Sequence, residues 1–250
     1  SMAFTGLKKL KKPRVIIGTI LGLIVLFLIV MFVGNVFRYV RAIRSGESDP
    51  FEKDRLKSSV SILLRQTPLD QVTFNRIMTD AKAPSFGNPN AKIRIVEFLD
   101  YQCPFSKKTA PFVREFMANH SDDAFLIIRD YPITSVHNMA TDAAYSAQCV
   151  FDQGGAEKYW SYQDFLFQNQ DKLTATNMRD SAISVGADPS ALDTCVNSRE
   201  TKSGVEADTA DTLSVNVNGT PTFFINGYRI PGAVTLEQLE AIYAEIKKRL

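Results

Sequence analysis

The chain has 250 residues, enough for one large or two small domains, of which 45% are hydrophobic and 22% charged. Its formal charge of +2 averages two unlike regions: residues 1–50 hold eight Lys/Arg against two Asp/Glu, and residues 51–250 hold 21 against 25. A basic nucleic-acid surface is thereby excluded from the globular part, and the positive charge belongs to the N-terminal end.

Ser1 ahead of Met2 reads as a residue left by tag removal. Residues 1–14 form a basic tail, and Val15 to Phe37 is a run of 23 residues without a charge. As a helix this run exceeds the ~30 Å hydrocarbon thickness of a bilayer. The competing reading is a secretory signal peptide, whose apolar region would be about 7–15 residues and would end in small residues at a cleavage site. Gly34-Asn35-Val36-Phe37-Arg38 offers no such site, so 15–37 is expected to be an uncleaved transmembrane anchor. Five basic residues precede it (Lys8, Lys9, Lys11, Lys12, Arg14) and three follow (Arg38, Arg41, Arg44). That bias predicts a single-pass protein of the cell membrane, with a cytoplasmic N-terminus and an extracytoplasmic domain.

Residues 38–83 read as a juxtamembrane linker. Ser45 to Asp49 is a polar break, and Phe51 to Arg65 then places apolar residues at 51, 56, 60, 63 and 64, a helical period ending before Thr67-Pro68. This helix would space the domain from the lipid or meet a membrane partner. Pro84 to Asn90 is dense turn chemistry and marks the entry to the folded domain.

Ile93 to Leu99 is expected to be a buried strand that leaves through a short polar turn and meets Cys103 at the first turn of a helix reaching Met117. Free backbone N–H groups and the positive end of that helix face the sulfur and favour its nucleophilic, thiolate form. Pro104 suits a first helical turn, where a missing N–H costs nothing. Phe105 is expected to present an apolar face at the surface rather than to fill the core, and Asp100 to serve as a turn or capping residue. Ala124 to Arg129 is a second strand. Between Val136 and about Asn216 only helical patterns occur: Met139–Val150, Ala156–Gln168, Thr176–Val185, Pro189–Asn197 and Thr201–Val215. Thr222–Ile225 is a strand, Asn226-Gly227 a two-residue hairpin signal leading into Tyr228–Ile230, and Thr235 with Gln238 a capping box for the last helix. The order is a βαβ unit over 84–135, a helical insertion over 136–216 and a ββα unit over 217–250.

An exported compartment lets disulfides persist. Cys149 and Cys195 are expected to pair as a structural disulfide, with two buried free thiols as the alternative. His120 and His137 share no close spacing with a cysteine, so no metal is expected, nor any cofactor. His137 is expected to begin a helix in solvent, and Trp160 with Tyr159, Phe165 and Phe167 to fill the core of the insertion.

Glu97-Phe98-Leu99-Asp100-Tyr101-Gln102-Cys103-Pro104-Phe105, followed far downstream by Gly219-Thr220-Pro221-Thr222-Phe223-Phe224, resembles the DsbA-like branch of the thioredoxin superfamily over about residues 84–250. It is most similar to the membrane-anchored, extracytoplasmic thiol oxidases of that branch. The resemblance implies an α/β thioredoxin fold with an inserted helical domain. It also implies a cis Thr220-Pro221 loop that faces Cys103 and pairs with a client strand, and a buried carboxylate at Glu97 that moves protons near the thiols. A solvent-facing strand acid is the alternative for Glu97. The implied partners are reduced exported polypeptides and a membrane quinone-linked reoxidase.

One position departs from the pattern: the family carries Cys-x-x-Cys, and position 106 is Ser. A hydroxyl cannot resolve a mixed disulfide, so either Ser106 replaces the resolving cysteine in a trapped variant, or the protein is a natural monothiol. The expected function is a thiol:disulfide oxidoreductase that introduces disulfides into exported proteins through Cys103, impaired by Ser106. A monothiol peptide-capture module and a disulfide isomerase or reductase are the alternatives.

Overall fold

The computed structural model describes residues 13–45, 50–79 and 83–250, so Lys8, Lys9, Lys11 and Lys12 of the basic tail and most of the polar break at Ser45–Asp49 lie outside the described residues. The chain forms two units, one ending at Lys57 and the other Ser58–Leu250. In the first, helix α1 (Pro13–Ser45) contains Ile17–Arg38, a stretch of 22 residues long and apolar enough to cross a membrane by length and composition. Large apolar side chains such as Phe32 and Leu23 stand exposed on it.

Helix α2 (Pro50–Leu63) crosses into the second unit, where α3 (Gln71–Met78) follows. Asp70 starts α3 by accepting from the Thr73 N–H at 2.9 Å. Then come β1 (Ser85–Gly87), β2 (Ile93–Leu99), α4 (Pro104–His120) and β3 (Ala124–Asp130). The helices α5 (Ala140–Gln168), α6 (Ala175–Ser184), α7 (Pro189–Asn197) and α8 (Arg199–Ser214) make the insertion, and β4 (Thr222–Ile225), β5 (Tyr228–Pro231) and α9 (Leu236–Lys247) close the chain. The sheet order is β1-β3-β2-β4-β5; β2 and β3 run parallel, and the other neighbours are antiparallel. A parallel pair requires a crossover, which α4 supplies.

Alternation sorts β2 between two covered faces. Val96 and Phe98 join Phe224, Ile127 and the α3 residues Phe74, Ile77 and Met78 in one core cluster. Burying a side chain such as Phe74 or Ile77 contributes about 1.5–3 kcal/mol. Glu97 points the other way, between its register partners Ile128 and Phe223.

The expected linker over 38–83 is corrected at its C-terminal half. Residues from 58 onward belong with the folded unit, and α3 packs into its core. Four apolar residues in an eight-residue helix, three of them buried, are too short a signal to separate from a spacer. The segment before α3 is also tied to the β4–β5 hairpin. Asn226 and Gly227 have φ of 47° and 84°, as the tight turn requires, and the Leu69 N–H donates to the Gly227 carbonyl at 2.9 Å. A Cβ at Gly227 would stand 3.1 Å from the Leu69 carbonyl oxygen, so that close approach needs glycine.

Within the insertion, α5 continues through 154–155 with a non-helical break at Gly155 rather than stopping. Cys149 on α5 and Cys195 on α7 are joined as a disulfide. Tyr159 and Phe167 are buried as expected, but Trp160 is half-buried and stacks on Phe86 of β1 with ring centroids 4.1 Å apart. It therefore joins the insertion to the sheet instead of filling the insertion's core.

Candidate active site

The chain has to turn from the end of β2 into α4 within the four residues 100–103, and Asp100 organises that turn. Its carbonyl accepts from the Cys103 N–H at 3.0 Å, and its Oδ1 accepts from the Gln102 N–H at 2.7 Å. Cys103 occupies the N-cap position of α4 in an extended conformation, and its carbonyl accepts the first helical bond from Lys107 N at 3.1 Å. Its sulfur thereby lies at the helix's N-terminal turn. Pro104 follows at the first helical position, exposed, and Phe105 beside it is 60% exposed. Ser106 is buried one turn further in, where its Oγ accepts from the Asp100 N–H at 3.5 Å.

The Thr220-Pro221 bond is cis, and the Cys103 thiol donates to the Thr220 carbonyl at 3.1 Å. Cys103 itself is 5% exposed, while its neighbours Pro104 and Phe105 are exposed and Gln102 is half-buried. Pro221 is held from behind by the Gly232 N–H, which donates to its carbonyl at 2.8 Å. The Thr220 Oγ1 is buried without a hydrogen-bond partner among the described residues.

Glu97 is 2% exposed on the middle strand, and no hydrogen bond to its carboxyl is found among the described residues. Burial without compensating donors penalises the charged form and pushes this carboxyl from 4.5 up to about 8, so it is protonated at neutral pH. The solvent-facing alternative for Glu97 is excluded by this burial.

The structure brings Cys103, Pro104, Phe105, Ser106, Thr220 and Pro221 together, with Glu97 on the strand leading into the site, while the Cys149–Cys195 bridge stays within the insertion. It also adds residues that the sequence did not disclose. His137 is 19% exposed rather than free in solvent, and its Nδ1 lies 2.8 Å from Asp100 Oδ2, which also accepts from the Ile133 N–H. Gln170 holds the turn from the insertion side, and Gln102 in the turn reaches back to the Gln170 carbonyl. Their sequence separations of 37 and 68 residues leave no local pattern to find them by.

A mixed sheet whose middle strand leads to a cysteine at a helix N-terminus, facing a cis-prolyl peptide, defines a fold of the thiol–disulfide exchange class. A family model described as Thioredoxin matches residues 79–244, and the chain belongs to the thioredoxin family. Among solved structures, a thioredoxin-like oxidoreductase from Silicibacter pomeroyi is 25% identical with a TM-score of 0.60, covering 72% of this chain and 99% of that one. The thiol-disulfide exchange protein alpha-DsbA2 from Wolbachia pipientis has 22% identity and a TM-score of 0.63, covering 80% of this chain and all of that one; at this identity the likeness is one of fold. Among curated proteins, a Na(+)/H(+) antiporter NhaA 1 from Mycolicibacterium gilvum is 32% identical over 148 residues. That match covers 58% of this chain, which spans about a quarter (24%) of the antiporter's length.

Proposed function

We propose that this chain is a membrane-anchored thiol:disulfide oxidoreductase whose second unit works outside the cytoplasm, with Cys103 as the nucleophile. The observation that carries the reading is the Cys103 sulfur at the N-terminal turn of α4, 3.1 Å from the carbonyl that precedes cis-Pro221. A client chain lying extended along Thr220 could pair with its backbone while presenting a disulfide to the sulfur. The Cys103 thiolate then attacks one client sulfur, forms the mixed disulfide, and expels the other client sulfur as a thiolate. Protonated Glu97 on the adjoining strand is the group placed to give and take a proton as the thiols change state. In the dithiol form, where residues 103 and 106 would carry a disulfide, a client thiolate attacks it and a second client thiolate resolves the mixed disulfide. Reduced exported polypeptides are the proposed substrates of that form and a membrane quinone-linked reoxidase its proposed partner. Exposed Pro104 and Phe105 are the proposed client-facing surface.

With Ser106 in place, the mixed disulfide has no internal thiol to resolve it, and release falls to an external thiol. The buried, hydrogen-bonded setting of Ser106 supports a second reading, in which the monothiol site captures peptides as it stands. The test is Ser106→Cys. The dithiol variant is expected to oxidise a reduced client and to have a potential well above the ≈ −270 mV of thioredoxin. A potential as low as thioredoxin's assigns the site to reduction instead. A variant that forms no internal disulfide at all leaves capture as the function.

A further inference from the structure

Two glutamines tie the turn that carries Cys103 to the inserted helices. The turn uses its own groups for two bonds, Cys103 N–H to Asp100 O and Gln102 N–H to Asp100 Oδ1. The carbonyls of Tyr101 and Cys103 are then met from outside the turn. The Gln170 side-chain amide, just beyond the C-terminus of α5, donates to both, each at 2.9 Å. Gln170 is 7% exposed, and both protons of its amide are committed to these carbonyls. The tie is reciprocal. Gln102 Nε2 donates to the Gln170 carbonyl at 3.0 Å, and Gln102 Oε1 accepts from the Met139 N–H, at the other end of α5. One exchange of amides thus fastens Tyr101 and Cys103 to Gln170 beyond the C-terminal end of the 29-residue α5, while Gln102 itself also reaches Met139 at the other end.

We infer that Gln170 is a positioning residue for the Cys103 thiol, through which the helical insertion sets the aim of the sulfur between the α4 N-terminus and the Thr220 carbonyl. The inference rests on the reading of Cys103 as the nucleophile. The backbone of residues 101–103 fixes where Cβ of Cys103 points, and the two outward carbonyls on either side of Gln102 are the handles by which Gln170 holds it. Releasing them lets the turn rotate, changing both the dipole the sulfur feels and its distance from Thr220. Merely filling space between the sheet and the insertion would require no donor pair aimed at these two carbonyls.

The test uses the full chain in detergent and measures the rate of Cys103 modification by iodoacetamide from about pH 5 to about pH 10, where thiolates and thiols separate. Gln170→Met keeps the length of the side chain and removes its donors. The expected result is a shift of the profile's midpoint by about half a pH unit or more and a change of about threefold or more in rate near pH 7. Gln102→Met leaves the bonds onto Tyr101 and Cys103 in place but frees Gln170, and is expected to shift the profile in the same direction by less. It decides the matter alone if Gln170→Met does not fold. Profiles of folded variants that superimpose on the parent's overturn the inference, whatever happens to their melting temperatures. The two readings fail distinguishably: a parent chain whose Cys103 reacts no faster than in denaturant overturns the nucleophile assignment and this inference together. A reactive parent with unmoved variants overturns the positioning role alone.

Discussion

The two faces of the central sheet bury charge-bearing side chains one residue apart in register, and they treat them in opposite ways. On the face toward α3 and α8, Arg129 is 3% exposed, but its guanidinium meets Asp208, Asp211 at 2.8 Å and the Ile77 carbonyl at 2.9 Å. Asp208 also accepts from the Asp130 N–H at 2.8 Å. On the opposite face Glu97, the neighbour of Arg129's register partner Phe98, is buried with no hydrogen bond to its carboxyl found among the described residues. The first arrangement ties two helices to a strand. The second keeps a proton on an acid at neutral pH, on the strand that leads directly to Cys103. A buried charge with its partners is architecture; a buried acid with no such partner among the described residues holds its proton instead.

The largest effect that would sharpen this contrast is the pH dependence of stability. Glu97 binds its proton more tightly folded, near pH 8, than unfolded, near 4.5. Stability therefore falls as pH rises from about 4.5 to about 8, and is level in this respect outside that window. The gap corresponds to at most roughly 4–5 kcal/mol. Glu97→Gln should match the parent at the acid end and exceed it at the alkaline end, as urea titrations across pH would measure. Parallel curves for the two proteins would place the Glu97 proton elsewhere.

Arg129→Met attacks the other face. Removing the cation of a buried ion group takes the guanidinium away from Asp208 and Asp211, and should cost about 3–5 kcal/mol in the same titrations. Cys103 in the folded variant should keep its reactivity. A large loss of thiol reactivity without loss of stability would abolish the division between the faces. The smallest of the three effects concerns the insertion: replacing Cys149 and Cys195 together by Ala removes a bridge across 46 residues and should cost about 2–4 kcal/mol, read as a lowered melting temperature. The reaction at Cys103 should again be unchanged, since the bridge lies outside the site.

Legibility followed the range of the interactions. The strand-turn-helix around Cys103, the Asn226-Gly227 hairpin and the Thr235/Gln238 capping box rest on neighbours within a few residues, and the structure has each of them. Glu97 was readable halfway: the resemblance implied a buried carboxylate there, but its neighbours Ile128 and Phe223 are brought by other strands. α3 was lost in the apparent linker because its three buried apolar residues acquire meaning only against Phe98 and Phe224. β1, three residues long, was hidden in turn chemistry and exists by pairing with β3. The pairing of His137 with Asp100, the grip of Gln170 on the turn, and the Arg129–Asp208 pair join residues 37 to 79 positions apart, and no local spacing encodes them.

The central claim is that Cys103, and no other sulfur in the folded chain, attacks a disulfide and then stays bound. Incubating the full chain with glutathione disulfide and mapping the product by mass spectrometry tests it most directly. The account predicts a single adduct on Cys103 that persists until an external thiol is added, and that gives way to an internal disulfide in the Ser106→Cys variant. A folded chain that acquires no adduct at Cys103, or acquires it only after denaturation, would contradict the account.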